Sequence, residues 1–164
     1  MIVAQKHTKD ELFSILANIP DPEIPVLSIN EMGILKDIII QDNSCEIIIT
    51  PTYSGCPAMG VIEEDIKKIL FEYGILNVKV KLVLSPAWTT DWMTDEAKEK
   101  LRVYGIAPPL HSSCSNFFAE KQSISCPKCG SQNTLMVSHF GSTACKAMYK
   151  CNNCEEPFEY FKCH

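Results

Sequence analysis

Two Cys-x-x-Cys pairs near the C-terminus constrain the fold of this chain more than any other sequence feature. The first pair is Cys126 and Cys129, the second is Cys151 and Cys154, and residues 130–150 separate them. A domain of about 40 residues seldom buries enough apolar surface to fold unaided, and a bound metal is a common remedy. Each short turn directs two sulfurs to one point. The pattern therefore predicts a zinc ribbon with a structural, tetrahedral four-thiolate Zn²⁺ site.

Iron in a rubredoxin-like electron-transfer site uses similar cysteine pairs. Gly130 follows the first pair, but Glu155 follows the second, which disfavours that alternative. Cys145, Cys163 and His164 are candidates for extra ligands. The competing interpretation is that they are a half-buried thiol and terminal residues without a metal role.

The remaining composition narrows the function classes. Six of the nine cysteines lie between Cys126 and Cys163, and without an export signal they favour metal binding or thiol chemistry in the reducing cytosol over disulfides. The expected location is therefore cytoplasmic. The net charge is −5, and neither half of the chain is basic enough for a nucleic-acid partner. No apolar run is long enough to cross a membrane.

Hydrophobic periodicity predicts an α+β protein: a small α/β domain with a three-stranded mixed sheet and helices, followed by a C-terminal β zinc ribbon. The expected domain occupies residues 1–108, a linker containing Pro109 and a Ser/Asn-rich stretch occupies 109–125, and the ribbon occupies 126–164. The predicted helices are 9–19, a segment from Pro57 to about Gly74, and a segment from Thr94 to Gly105; the predicted strands are 34–40, 45–50, 77–84, 134–140 and 146–150.

Cys56 is a candidate functional thiol because it lies immediately before an amphipathic helix, with Pro57 at the favoured first helical position. As the helix N-cap it would face the positive end of the helix dipole, which lowers a thiol pKa from about 8.5. A thiolate there suits soft metals, iron-sulfur clusters or electrophiles. The alternative is a small residue that fills a turn.

Asp21 and Glu23 belong to a proline-punctuated loop that cannot be helical. If the fold brings this loop beside Cys56, its carboxylates are candidates for oxygen ligands or a proton relay. The alternative is that each caps a turn. Trp88 and Trp92 are interpreted either as core anchors or as an exposed patch that binds a partner.

Several motifs carry a resemblance to known families. The segments that resemble the MIP18-like (DUF59) domain of iron-sulfur cluster assembly proteins are Asp21–Pro25, Met32–Ile34, Thr52–Pro57 and Pro86–Trp88. The segments that resemble the D subunit, also called J, of bacterial phenylacetyl-CoA epoxidase are Cys126–Ser131, Phe140–Ala147 and Glu156–Cys163. Together the resemblance runs from about residue 8 to the C-terminus.

The resemblance implies an accessory factor without its own catalytic site, which serves the epoxidase monooxygenase of aerobic phenylacetate catabolism. It implies help in maturing iron-sulfur clusters or iron sites, with Cys56 as the reactive cysteine and Asp21 and Glu23 in the acidic loop. The implied partners are epoxidase subunits, especially the iron-sulfur reductase, and the implied cargo is a transient iron ion or cluster.

One cysteine cannot complete the usual four ligands of a cluster, so a homodimer, a partner protein or a small thiol must supply the rest. Two rival functions remain at this stage. One is a purely structural adaptor of the monooxygenase complex, in which Trp88 or Trp92 contacts a partner. The other is a rubredoxin-like electron carrier.

Overall fold

The computed structural model describes residues 7–41, 44–110 and 123–163, which form two compact units. The first unit extends to Trp88 and the second begins at Thr89. None of the helices in these described ranges combines the length and apolar character needed to span a bilayer.

Helix α1, Lys9–Leu16, begins with the capping box that the sequence predicts. The Glu11 N–H donates to Thr8 Oγ1 over 3.3 Å, and the Thr8 N–H donates to Glu11 Oε2 over 2.9 Å. The helix ends three residues earlier than its apolar periodicity suggested. The reason is tertiary, because Ile19 leaves the helical path and accepts a backbone hydrogen bond from Ile29 N over 2.9 Å.

The sheet of the first unit has the predicted mixed topology. Strands β1, Leu35–Gln41, and β2, Ser44–Ile49, form an antiparallel hairpin. Helix α2, Ala58–Glu72, then crosses over to β3, Val78–Leu82, which runs parallel to β2. Helix α1 packs against β1 and helix α2 against β3. Their buried apolar side chains form the core: Leu12, Leu16, Ile38, Ile47, Ile49, Ile62, Ile66 and Leu70.

The second unit opens with a single 3-10 turn, Thr90–Trp92, followed by helix α3, Asp95–Tyr104. Thr94 caps this helix by accepting from Ala97 N over 3.0 Å, and Gly105 ends it with the positive φ that favours glycine. The four strands of its sheet are β4, Ile106–Ala107; β5, Thr134–Ser138; β6, Lys146–Cys151; and β7, Pro157–Phe161. Their spatial order is β4-β7-β6-β5.

The boundary between the units differs from the expected one at residue 108. Residues 89–108 belong to the second unit, because β4 pairs in parallel with β7 and α3 packs against β4. A two-residue strand beside Pro108 has no periodicity that sequence analysis could detect. Strand β7 was likewise not predicted, although its buried Phe158, Tyr160 and Phe161 complete the ribbon core.

Candidate functional site

The two cysteine pairs come together in the second unit. Cys126 and Cys129 lie in a turn before β5, whereas Cys151 ends β6 and Cys154 follows in the next turn. Gly130 and Glu155, the residues just after each pair, both have a positive φ, 75° and 63°. The residue after each cysteine pair therefore has a left-handed backbone conformation. In Glu155 this conformation is one that usually favours glycine.

The four sulfurs meet the geometry of a tetrahedral metal site. All of them lie within 4.8 Å of one another, with Cys126 Sγ 3.8 Å from Cys154 Sγ and Cys129 Sγ 3.5 Å from Cys151 Sγ. A zinc–sulfur bond of about 2.3 Å places the sulfurs of a tetrahedron about 3.8 Å apart. The cluster therefore fits a metal ion with four protein ligands, a set that leaves no open position for a reacting water.

The electrostatics of the four sulfurs favour a cation between them. Backbone N–H groups of Cys154 and Asn153 donate to the Cys151 sulfur and lower its pKa to about 6. The Glu156 N–H favours the Cys154 thiolate, but burial and the neighbouring sulfurs outweigh it and raise that pKa to about 12. Thiolates this close repel one another, so the four sulfurs do not all ionise readily by themselves. A bound dication removes that conflict.

The candidate extra ligands lie apart from this cluster or outside the described residues. Within the described ranges, the only cluster of side chains close enough to hold one metal ion consists of the four paired cysteines. Cys145 and Cys163 are not part of it. The Cys145 sulfur lies 3.0 Å from Thr143 Oγ1, and the Cys163 sulfur lies 3.6 Å from Thr90 Oγ1. Cys163 is disulfide-bonded. This differs from the expectation that the cysteines of this chain serve metal binding or thiol chemistry rather than disulfides. His164 falls outside the described residues.

Cys56, in the first unit, is buried rather than exposed at a helix start, with 9% of its surface accessible. The N-cap of α2 is Pro57, one residue later than the sequence predicted. Cys56 instead closes the preceding turn by donating its N–H to the Tyr53 carbonyl over 3.2 Å. Its position just before the first helical turn still allows the Ala58 N–H to reach the sulfur.

The predicted lowering of the Cys56 pKa was wrong. Burial raises the pKa of this thiol above its ordinary value, and the negative charges of Glu23 and Asp21 raise it further. Hydrogen bonds from the Ala58 N–H and the Thr52 hydroxyl act in the opposite direction, but they do not overcome desolvation. The prediction failed because it considered only the effect of the helix terminus on the thiol. It did not include the desolvation of a buried thiol or the nearby negative charges.

The carboxylates of Glu23 and Asp21 act electrostatically on the Cys56 thiol. Asp21 is 5% exposed, and its Oδ1 accepts from the N–H groups of Glu23 and Ile24, each over 2.8 Å. This carboxylate therefore stabilises the loop and also acts on the Cys56 thiol through its negative charge. Cys56, Asp21 and Glu23 do not form a ready three-ligand metal group, since the described residues contain such a group only in the ribbon.

Two further residues clarify the site. Thr52 was not singled out by sequence analysis, yet it is 8% exposed and hydrogen-bonds with the thiol from the same turn. A hydroxyl four positions before a candidate cysteine is the signal that could have found it. Trp88 is a core anchor, buried and donating its indole N–H to the Met32 carbonyl over 2.9 Å, whereas Trp92 is half-buried.

Two family models match the chain. Residues 9–72 match the model described as "Iron-sulfur cluster assembly protein", which includes Asp21, Glu23 and Cys56. Residues 111–162 match the model described as "PaaD zinc beta ribbon domain", which includes the four clustered cysteines. The thiol and the sulfur cluster therefore each lie within a separate, recognisable module.

Individual proteins and a solved structure are also similar to this chain. The chain is 48% identical over 93% of its length, and 92% of the relative, to the D subunit of the "Putative 1,2-phenylacetyl-CoA epoxidase" of Escherichia coli (strain K12). It is 31% identical over 58% of its length, and 91% of the relative, to an Fe-S protein maturation auxiliary factor of Porphyromonas gingivalis. The crystal structure of a DUF59 domain from Bacillus anthracis matches 57% of this chain and 90% of its own length, with 30% identity and a TM-score of 0.53.

Proposed function

The chain belongs to the family of the phenylacetyl-CoA epoxidase D subunits, and from this premise we propose that it is a maturation factor for a phenylacetyl-CoA epoxidase. In this role it assists assembly of iron-sulfur clusters or iron sites in partner subunits and does not itself catalyse epoxidation. The observation that carries the proposal is the buried Cys56 thiol beside Asp21 and Glu23, inside a domain that matches iron-sulfur assembly proteins.

The properties of the Cys56 thiol suit transient binding of a metal cargo. Burial and two carboxylates keep the free thiol protonated, so it is a poor general nucleophile at neutral pH. An arriving iron ion or cluster supplies the positive charge that stabilises the thiolate, and the thiol proton leaves as the metal–sulfur bond forms. When the cargo departs, the same carboxylates favour reprotonation, which makes release easier.

One thiol supplies one of the usual four cluster ligands, so the others come from a partner. We place the iron-sulfur reductase of the epoxidase first among these partners, ahead of a second copy of this chain. The cytoplasmic location expected from the sequence stays a prediction.

The decisive experiment replaces Cys56 with Ser and co-produces the variant with the epoxidase subunits. We expect normal folding and ribbon metal content, but a loss of cluster iron from the reductase, measured as iron and acid-labile sulfide per reductase. Cys45→Ser is the matched control, because Cys45 is a second buried thiol in the same unit, on strand β2. Equal reductase iron with Cys56→Ser and wild type would reject the maturation role and favour the structural adaptor.

For the ribbon we propose a structural Zn²⁺ held by Cys126, Cys129, Cys151 and Cys154. The support is the convergence of four sulfurs at tetrahedral spacing in a module that matches a zinc-ribbon family. Elemental analysis of protein purified without added metal should give one zinc per chain. One iron per chain with visible absorption would instead support the rubredoxin-like carrier.

A further inference from the structure

The four sulfurs of the ribbon cluster differ in how deeply the fold buries them. Cys126 and Cys151 are 2% and 0% exposed and Cys154 is half-buried, whereas Cys129 is exposed. Cys126 and Cys151 belong to the apolar core of the second unit, and Cys154 packs against that core, but Cys129 is not part of it. One of the four candidate ligands is therefore open to solvent.

A cation acts on sulfurs that are already buried or half-buried. The Lys128 ammonium donates to Glu156 Oε2 over 2.6 Å, which links the turn of the first cysteine pair to the turn of the second. Besides this carboxylate, the sulfurs of Cys154 and Cys126 act electrostatically on the same ammonium. Metal-bound sulfurs are already deprotonated, so their reactivity follows the nucleophilicity of the thiolate. A nearby cation lowers that nucleophilicity, because it stabilises the electron pair that would attack.

Burial also sets the order in which the sulfurs can be reached. Cys126 and Cys151 share the core with Tyr149 and Phe158. A reagent reaches these two sulfurs only after the ribbon opens locally, and the free energy of that opening adds to the barrier for their reaction. Attack on Cys129 requires no such opening.

We propose that Cys129 is the sulfur at which soft carbon electrophiles attack the zinc-loaded ribbon, and that its modification releases the metal. With iodoacetamide, the Cys129 sulfur supplies the electron pair for a new sulfur–carbon bond, and the carbon–iodine bond breaks as iodide leaves. The resulting thioether is neutral and a weak zinc ligand, so three thiolates remain to hold the ion. This inference rests on the zinc site proposed above for the ribbon.

The test treats the full chain, loaded with one zinc per chain, with limiting iodoacetamide at neutral pH. Peptide mass spectrometry follows the labelling of each cysteine. A chromogenic chelator too weak to strip the unmodified protein follows zinc release. We expect Cys129 to be labelled at least about tenfold faster than Cys126, Cys151 or Cys154, and zinc to leave at the rate of Cys129 labelling.

Two variants separate the role of this sulfur from general thiol reactivity. Cys129→His keeps a zinc ligand at the exposed position but removes the nucleophilic sulfur. Zinc should stay bound, and its release by iodoacetamide should slow by about tenfold or more. Cys145→Ser is the matched control, because Cys145 is a thiol of the same unit outside the four-sulfur cluster. This variant should release zinc at the wild-type rate.

The labelling order in the wild-type chain decides the question even if Cys129→His fails to fold. Labelling of Cys126, Cys151 or Cys154 as fast as Cys129 would overturn the inference and leave the zinc site in place. Zinc release from folded Cys129→His at the wild-type rate would do the same. A chain that binds no zinc when zinc is supplied would overturn both the inference and the proposed zinc site.

Discussion

At the scale of single residues, Cys56 is a buried thiol whose pKa is set by burial and by the charged and polar groups that act on it. A helix start favours the thiolate, and the Ala58 N–H does contribute that effect. Burial and the charges of Glu23 and Asp21 nevertheless raise the pKa. The resulting neutral thiol is suited to a cargo that brings its own positive charge.

Two substitutions should shift the reactivity of Cys56 in opposite directions. Thr52→Val removes a hydrogen bond that favours the thiolate, so the pKa rises and alkylation at neutral pH slows by roughly tenfold, the effect of losing a charged-group bond worth about 1.5 kcal/mol. Glu23→Gln removes a charge that disfavours the thiolate, so the pKa falls and alkylation accelerates.

The measurement is the pH profile of iodoacetamide alkylation at Cys56, followed by mass spectrometry of the Cys56 peptide. Thr52→Ser is the control, because it keeps the hydroxyl and should retain the wild-type profile. Profiles that coincide for Thr52→Val, Glu23→Gln and wild type would show that these groups do not act on the thiol.

At the scale of elements, a partly buried ion pair joins strands β6 and β7. Lys146 Nζ lies 3.1 Å from Glu159 Oε2, and their side chains are 4% and 19% exposed. Although burial disfavours its charge, donors from Ser142 and Lys146 hold the Glu159 pKa below its ordinary value. Gly141 allows this arrangement, because a Cβ there would lie 2.5 Å from Glu159 Oε1.

Lys146→Met should destabilise the metal-loaded ribbon by about 1.5 kcal/mol, because it removes a charged hydrogen-bond partner from a half-buried carboxylate to which Ser142 still donates. Adding Glu159→Gln to that variant should recover most of the loss. In wild type, the lowered Glu159 pKa means that this stability is present above the ordinary glutamate pKa and is lost as pH falls through the folded-state pKa. Urea denaturation with excess metal measures each effect. Equal midpoints for Lys146→Met and wild type would contradict the role given to the pair.

At the scale of the whole molecule, the chain consists of two units that rely on different sources of stability. The first unit buries aliphatic side chains from two helices and a mixed sheet. The core of the second is smaller, and it includes two of the clustered cysteines, Cys126 and Cys151. Metal removal should therefore affect the two units unequally.

A strong chelator at neutral pH should unfold the ribbon and leave the first unit folded. Hydrogen exchange should show loss of protection in β5, β6 and β7, while β1, β2 and β3 remain protected. Restoring one equivalent of Zn²⁺ should restore ribbon protection. A ribbon that stays protected after complete metal removal would show that its apolar core suffices without the ion.

The sequence determined the parts of this protein that depend on local pattern. Helical periodicity predicted α1, α2 and α3, and β-branched runs on either side of a polar turn predicted the β1–β2 hairpin. The spacing of Cys126, Cys129, Cys151 and Cys154 predicted their convergence. These signals are readable because neighbours along the chain produce them. Metal ligation by that cluster stays a prediction.

Only the tertiary structure decided the features that depend on distant residues. It buried Cys56 and brought the charges of Glu23 and Asp21 to act on it, which reversed the expected shift of the thiol pKa. It also assigned residues 89–108 to the second unit and, among the described strands, left β5 at an edge of its sheet. Burial, long-range charge and strand order arise when separated segments meet, so no local pattern in the sequence encodes them.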